Sequence, residues 1–148
     1  MAFDNGEHDI AEPYFALGLK LAARAADTPL SGHILRAMAH QALDLGLFSK
    51  ALELSTASVA SQRYQSATPR ERALLGVVHS RCLAATGQDK KATKMLLQAE
   101  DDLRGAHDGI EEPARTFFFG EASLAHETVV CLGAPQNAKG NVEEACAT

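Results

Sequence analysis

The chain has 148 residues, 46% of them hydrophobic and 22% charged, enough for one domain with its own core and unlike an intrinsically disordered segment. A formal charge of −5 argues against direct binding to a phosphate backbone. Aromatic residues make up only 5%, Trp is absent, and Ala and Leu dominate, a balance that favours helix over strand.

In chain order, "AEPYFALGLKLAARAAD" gathers Phe15, Leu17, Leu19, Leu21 and Ala22 into one apolar stretch. It ends in Asp27-Thr28-Pro29, which predicts a first helix near 9–26. "SGHILRAMAHQALDLG" sets Ile34, Met38, Ala42 and Leu45 at steps of four, four and three, one face of a second helix that closes at Gly46. A third helix begins near Ser49 and carries Ala51, Leu52, Leu54 and Val59. "SQRYQSATPRE" is the clearest loop. Within it Thr68, Pro69 and Glu71 read as N-cap, first-turn proline and capping-box glutamate of a fourth helix that runs to about Ala85.

The fifth helix spans Asp89 to about Gly105, followed by the loop "GAHDGIEEP". Pro113 is expected to open the sixth, "PARTFFFGEASLAHETVVCL", and a seventh starts near Pro135. Short loops between successive helices imply antiparallel neighbours. The β-prone runs at 117–119 and 128–131 lie inside a helical pattern, so no strand is predicted. Three adjacent phenylalanines on a helix fan across ~200°. Phe117, Phe118 and Phe119 therefore cannot all enter one core seam, and one is expected to touch a neighbouring repeat, a second chain or a missing N-terminal part.

A glycine stands five residues before an alanine at Gly46/Ala51, Gly87/Ala92 and Gly133/Ala138, and Gly6/Ala11 keeps the spacing. A glycine between helices supplies the positive φ of a tight turn. The alanine then falls on the first turn of the next helix, where a larger side chain would push the axes beyond ~8–10 Å. Recurrence every 40 to 46 residues marks stacked helix pairs.

These residues resemble the tetratricopeptide repeat. "LRAMAHQALDLGLFSKALELSTAS" carries Leu35, Met38, Ala39, Ala42, Gly46, Phe48, Ala51 and Leu52 in that pattern; "GVVHSRCLAATGQDKKATKMLLQA" and "ASLAHETVVCLGAPQNAKGNVEEA" follow it more loosely. The resemblance implies an all-α fold of about seven helices, a tetratricopeptide-like α-solenoid of antiparallel pairs. It would form one domain over 1–148, with a half repeat at 1–27 and repeats at 31–62, 69–105 and 113–148. The wording of "MAFDNGEHDIAEPYFALGLKLAARAADTPLSGHILRAMAHQALDLG" and "TPRERALLGVVHSRCLAATG" is also similar to the C-terminal region of actinobacterial helix-turn-helix (XRE-type) transcriptional regulators. That resemblance implies a regulatory module and DNA contact only through a separate or missing helix-turn-helix domain. Met1 falls where the family runs on through a helix, so a fragment, a truncated member or a stand-alone relative is expected. Gly120 and Ser123 replace acidic residues usual there.

Such arrays bind extended peptides on the face lined by the first helix of each pair. Counting from the turn glycines, that face carries His33, Arg36, His40 and Asp44, then Val77 and Arg81, then Ser123 and Glu127. Arg36 and Arg81 are the expected clamp for a carboxylate or a peptide backbone, because a guanidinium donates two parallel hydrogen bonds. The expected partner is a peptide, a small effector or a protein. Self-association as a homodimer is the alternative, and the same charged residues also suit a plain solvated helix face.

No metal or cofactor is expected. His33 and His40 lie ~10 Å apart along a helix, too far to share one ion. His79 and His126 fall where paired helices pack, His8 and His107 fall near helix or loop ends, and no H-E-x-x-H occurs. G-x-S-x-G and phosphate-binding glycine loops are also missing, and the run Glu100-Asp101-Asp102 reads as a solvated face, so an enzyme is not expected. Cys82, Cys131 and Cys146 are widely spaced and odd in number, as suits free thiols. Without an 18-residue apolar run or a basic, apolar leader, no membrane partner is expected and the expected location is cytoplasmic.

Overall fold

The structure is a computed structural model that describes residues 8–107 and 109–133, with side chains described from residue 12 onward. Among the described residues there are seven α-helices and no strand. They are α1 (His8–Arg24), α2 (Thr28–Asp44), α3 (Phe48–Ser58), α4 (Ser61–Gln65), α5 (Pro69–Ala85), α6 (Asp89–Arg104) and α7 (Glu121–Leu132). A single 3₁₀ turn, Ala114–Thr116, precedes α7.

Three chain reversals share one geometry. Ala26, Gly46 and Gly87 take φ values of 54°, 73° and 77°, each as the second residue after a helix. The next amide reaches back to close the helix: Asp27 to the Ala22 carbonyl at 3.0 Å, Leu47 to Ala42 at 2.8 Å, Gln88 to Leu83 at 2.9 Å. The amides of Ala26, Gly46 and Gly87 bond the carbonyls of Ala23, Leu43 and Ala84. This is the Schellman pattern, which satisfies carbonyls that a helix end leaves open. The break after the first helix was expected from Asp27-Thr28-Pro29, but its left-handed geometry was not, because Ala26 stands where the other turns have glycine.

Five residues after each of these positions the chain is buried and small: Ser31, Ala51 and Ala92, with Ala51 0% and Ala92 1% exposed. Gly133 has φ 77°, while Ala138, Gly6, Cys146 and the helix expected from Pro135 lie outside the described residues.

The turns fold neighbours back on one another. Gly32 in α2 lies against the Ser58 carbonyl at the end of α3, and a Cβ there would be 3.2 Å from it. Along α5 and α6, Gly105 faces Pro69, Gly76 faces Ala99, and the Ser80 hydroxyl donates to the Ala92 carbonyl at 2.7 Å. That succession fixes an antiparallel pair with close axes. α5 touches α2, α3, α6 and α7, so both its flanks are covered. Ala73, Leu74, Leu75, Val77, Val78, Cys82 and Leu83 are all buried on it.

Two expectations are corrected. The loop expected at 61–71 contains α4, held because Tyr64 donates to the buried Asp102 carboxylate while Arg72 pairs with the same carboxylate at 3.1 Å. The sixth helix begins at Glu121, not Pro113. Thr116 bonds its hydroxyl back to the Pro113 carbonyl at 2.8 Å, a local alternative to helix. Gly120 is extended at φ −145° and caps α7. The phenylalanines are therefore not helical: Phe119 is 2% exposed, whereas Phe117 and Phe118 face outward at 71% and 64%. The capping box at Thr68 and Glu71 is present as expected.

The turns yield opposite expectations for similar substitutions. Gly46→Ala should destabilise by about 1 kcal/mol, and Ala26→Gly should stabilise by up to about 1 kcal/mol, since only one residue type accepts left-handed φ without strain. Urea unfolding midpoints check both signs. Ala51→Leu should lower stability by about 1–3 kcal/mol through overpacking; a neutral result in the same titration would misplace the close crossing.

Candidate functional site

α5 lies between α2 and α7, so residues on one side of the three helices converge. Arg81 on α5 holds Nη1 3.2 Å from His40 Nε2 on α2 and 3.2 Å from Glu127 Oε2 on α7. His40 Nε2 is in turn 3.9 Å from Asp44 Oδ1, one turn along α2. Beside this chain of charges lies a cleft of about 440 Å³. Arg36, His40, Ser123, His126 and Glu127 give it polar groups, and Leu74, Val77, Val78, Phe118, Phe119 and Ala122 give it apolar walls.

The sequence-derived set thus comes largely together. Arg36, His40, Val77, Ser123 and Glu127 line the cleft, and Arg81 and Asp44 join it through His40. His33 stands two turns from His40 toward the start of α2, outside the cleft lining. Two placements differ from expectation. Val77 is 1% exposed, a core wall and not a surface contact, because α5 is covered on both flanks. Arg81 is not a free clamp, since Glu127 and His40 already engage it. Arg36 is 8% exposed.

Sequence reading missed the strap that borders this cleft. The segment 112–119 crosses the start of α5. Glu112 accepts from the Thr68 hydroxyl and from the Arg70 amide, the latter at 3.1 Å. A carboxylate at a helix N-terminus also meets the positive end of the helix dipole. Arg115 reaches the buried Glu71 carboxylate at 2.5 Å through Nη2 and lies 4.0 Å from Asp27 on the α2 cap. Arg70 donates to the Phe119 carbonyl, which seats Phe119 in the core. Glu71 was legible only as a capping residue; its second oxygen serves a partner 44 residues away.

Burial sets the protonation states. The His33 ring is held down to about 3 by burial first, then by the Arg36 and Arg115 guanidinium groups. His40 is lowered by burial and by Arg81, against the opposing pull of Asp44 and Glu127. His79 is lowered by burial alone, with Nδ1 2.9 Å from the Ser55 hydroxyl. His126 is exposed; its expected partner helix lies outside the described residues. Burial pushes the Cys82 and Cys131 thiols up, away from the thiolate form that reacts. Among the described residues no group of three or more potential ligands is placed to hold a metal ion. No described helix is long and apolar enough to cross a membrane.

No family model, curated protein or solved structure matches the chain. The chemistry of the cleft therefore follows from its own geometry: a desolvated imidazole at His40, a shared guanidinium and an adjacent apolar wall.

Three histidines whose folded values lie below the ordinary one make the protein acid-sensitive in a defined way. As pH falls below about 6.5, the unfolded chain takes up protons that the folded chain refuses, so stability declines toward the folded value. For His33 that value is about 3. His33→Asn is expected to flatten the fall in urea midpoint between about pH 6.5 and pH 4 relative to the native chain. Superimposable pH profiles would contradict the buried, neutral ring.

Proposed function

We propose that this chain is a tetratricopeptide-like binding module whose ligand site is the cleft at α2, α5 and α7. In this arrangement α2, α5 and α7 are the first helices of successive pairs, and α1, α3 and α6 are second helices. The convergence of Arg36, His40, Arg81 and Glu127 from three separate helices carries the reading, because a solvated helix face has no reason to align its charges with those of two neighbours. The cleft is apolar on one side and hydrogen-bonding on the other. That combination suits a short peptide or a small effector with an apolar group against Leu74, Val78 and Phe118. Its carboxylate or carbonyl would compete with Glu127 for Arg81. Exchange of one carboxylate for another at a shared guanidinium changes the link between α5 and α7, which gives binding a route to an attached or partner DNA-binding domain. No catalytic step is proposed.

The test uses a random peptide library panned on the full chain and on Arg81→Ala/Glu127→Ala. Removing both partners leaves no uncompensated charge, so the fold is retained. Enriched peptides should bind the native chain at least about tenfold tighter than the double variant by calorimetry, a gap of ~1.4 kcal/mol. Peptides that bind both proteins equally would overturn the site.

A further inference from the structure

Two apolar surfaces at opposite ends of the helix order have matching form. On α1, Ala22 is buried and Gly18 faces Ile34 of α2. On the side away from α2, Tyr14, Leu17 and Leu21 are exposed at 68%, 54% and 54%. Their spacing of three and four makes a single stripe, the anchor pattern of a helix that lies in a groove. Lys20 and Arg24 stand beside the C-terminal end of this stripe.

The second surface is a groove of about 530 Å³ between α6 and α7, walled by Leu96, Leu97, Leu124, Thr128 and Leu132. Leu97 and Leu132 are 58% and 61% exposed. Asp89 and Thr93 share a recess with Val130 and Leu132, so α7 runs antiparallel to α6. Glu100 and Glu121 consequently lie toward one end of the groove, where Arg104 pairs with Glu100 at 2.6 Å and with Asp101 at 2.8 Å, so three carboxylates face one guanidinium and the end is net negative. A helix seated antiparallel to α7 brings its own C-terminal end to those two carboxylates. On α1 that end carries Lys20 and Arg24.

We propose that α1 of one copy docks in the α6–α7 groove of a second copy, with Lys20 and Arg24 toward Glu100 and Glu121. Helix direction and net charge agree in this one orientation, with Glu121 the carboxylate that Arg104 leaves open. Different residues meet from the two copies, so the contact is heterologous and each dimer still offers a free stripe and a free groove. Assembly is then concentration-dependent and open-ended. The contact is independent of the ligand cleft, which uses Ser123 and Glu127 of α7 and not Leu124, Thr128 and Leu132.

Sedimentation velocity on the full chain tests this with two variants at exposed positions. Leu17→Glu/Leu21→Glu breaks the stripe and keeps the groove; Leu97→Glu/Leu132→Glu does the reverse. The native chain should grow in mass with concentration and pass beyond dimer. Each variant alone should weaken self-association at least about tenfold, and an equimolar mixture should form a one-to-one dimer that grows no further. Glu100→Lys/Glu121→Lys, which reverses the charge at that end and gives up the exposed Glu100–Arg104 pair, should also weaken assembly and should regain it when mixed with Lys20→Glu/Arg24→Glu. A native chain that stays monomeric at roughly 500 µM overturns the proposal. Variants that assemble alone as well as the native chain overturn it too.

Discussion

The close approach of α5 to α6 is the constraint on which the other features depend. Gly76 leaves so little room that a Cβ would lie 3.2 Å from the Ala99 Cβ. Ser80 comes close enough to donate to the Ala92 carbonyl, an unusual use of a backbone acceptor already inside a helix. Ala73, Ala92 and Ala99 complete a seam of small residues that are 0–1% exposed. Packing at this separation yields dispersion contacts along the full length of both helices, and a larger residue at any of these points would force them apart. The serine hydroxyl is tolerated because it is bonded, as buried polar groups must be.

With α5 held against α6 on one flank and α2, α3 and α7 around it, its remaining polar positions are committed to neighbours. Arg81 meets His40 and Glu127 at the edge of the cleft and also borders a separate recess with Phe48 and Asp89. The half-buried histidines stay neutral because charging them would place a cation in low dielectric beside guanidinium groups. At the start of the same helix, Glu71 serves two structures at once. One oxygen accepts from the Thr68 amide as part of the helix cap, and the other accepts from Arg115 of the strap. The cleft is thus bordered by a segment anchored to α5, which limits how far that edge can open.

What the sequence disclosed followed local rules. Gly46 and Gly87 announced left-handed turns, Thr68 and Glu71 announced a cap, and the five-residue step placed Ala51 and Ala92 in the core. Counting from those glycines also brought Arg36, His40, Arg81 and Glu127 to one place, because a rigid helix carries register faithfully over three turns. The failures were tertiary. Asp27-Thr28-Pro29 marked the end of the first helix, but Ala26 takes a glycine conformation that its side chain disfavours, so no letter signalled the left-handed geometry. Pro113 resembles a helix start, but the burial of Phe119 and the long-range pair of Arg115 with Glu71 decide the local chain path. α4 forms where turn residues predominate because Tyr64 finds a buried carboxylate 38 residues away. Neither partner is visible from the neighbourhood of the other.

If α5 is the enclosed spine, its amides should be the last to open. Native-state hydrogen exchange reads this directly. The amides from Leu74 to Cys82 should exchange only through global unfolding, while those of α1, packed on one side alone, open earlier at lower cost. Exchange in α5 as fast as in α1 would contradict the account, and would mean that the close seam with α6 does not hold the molecule together.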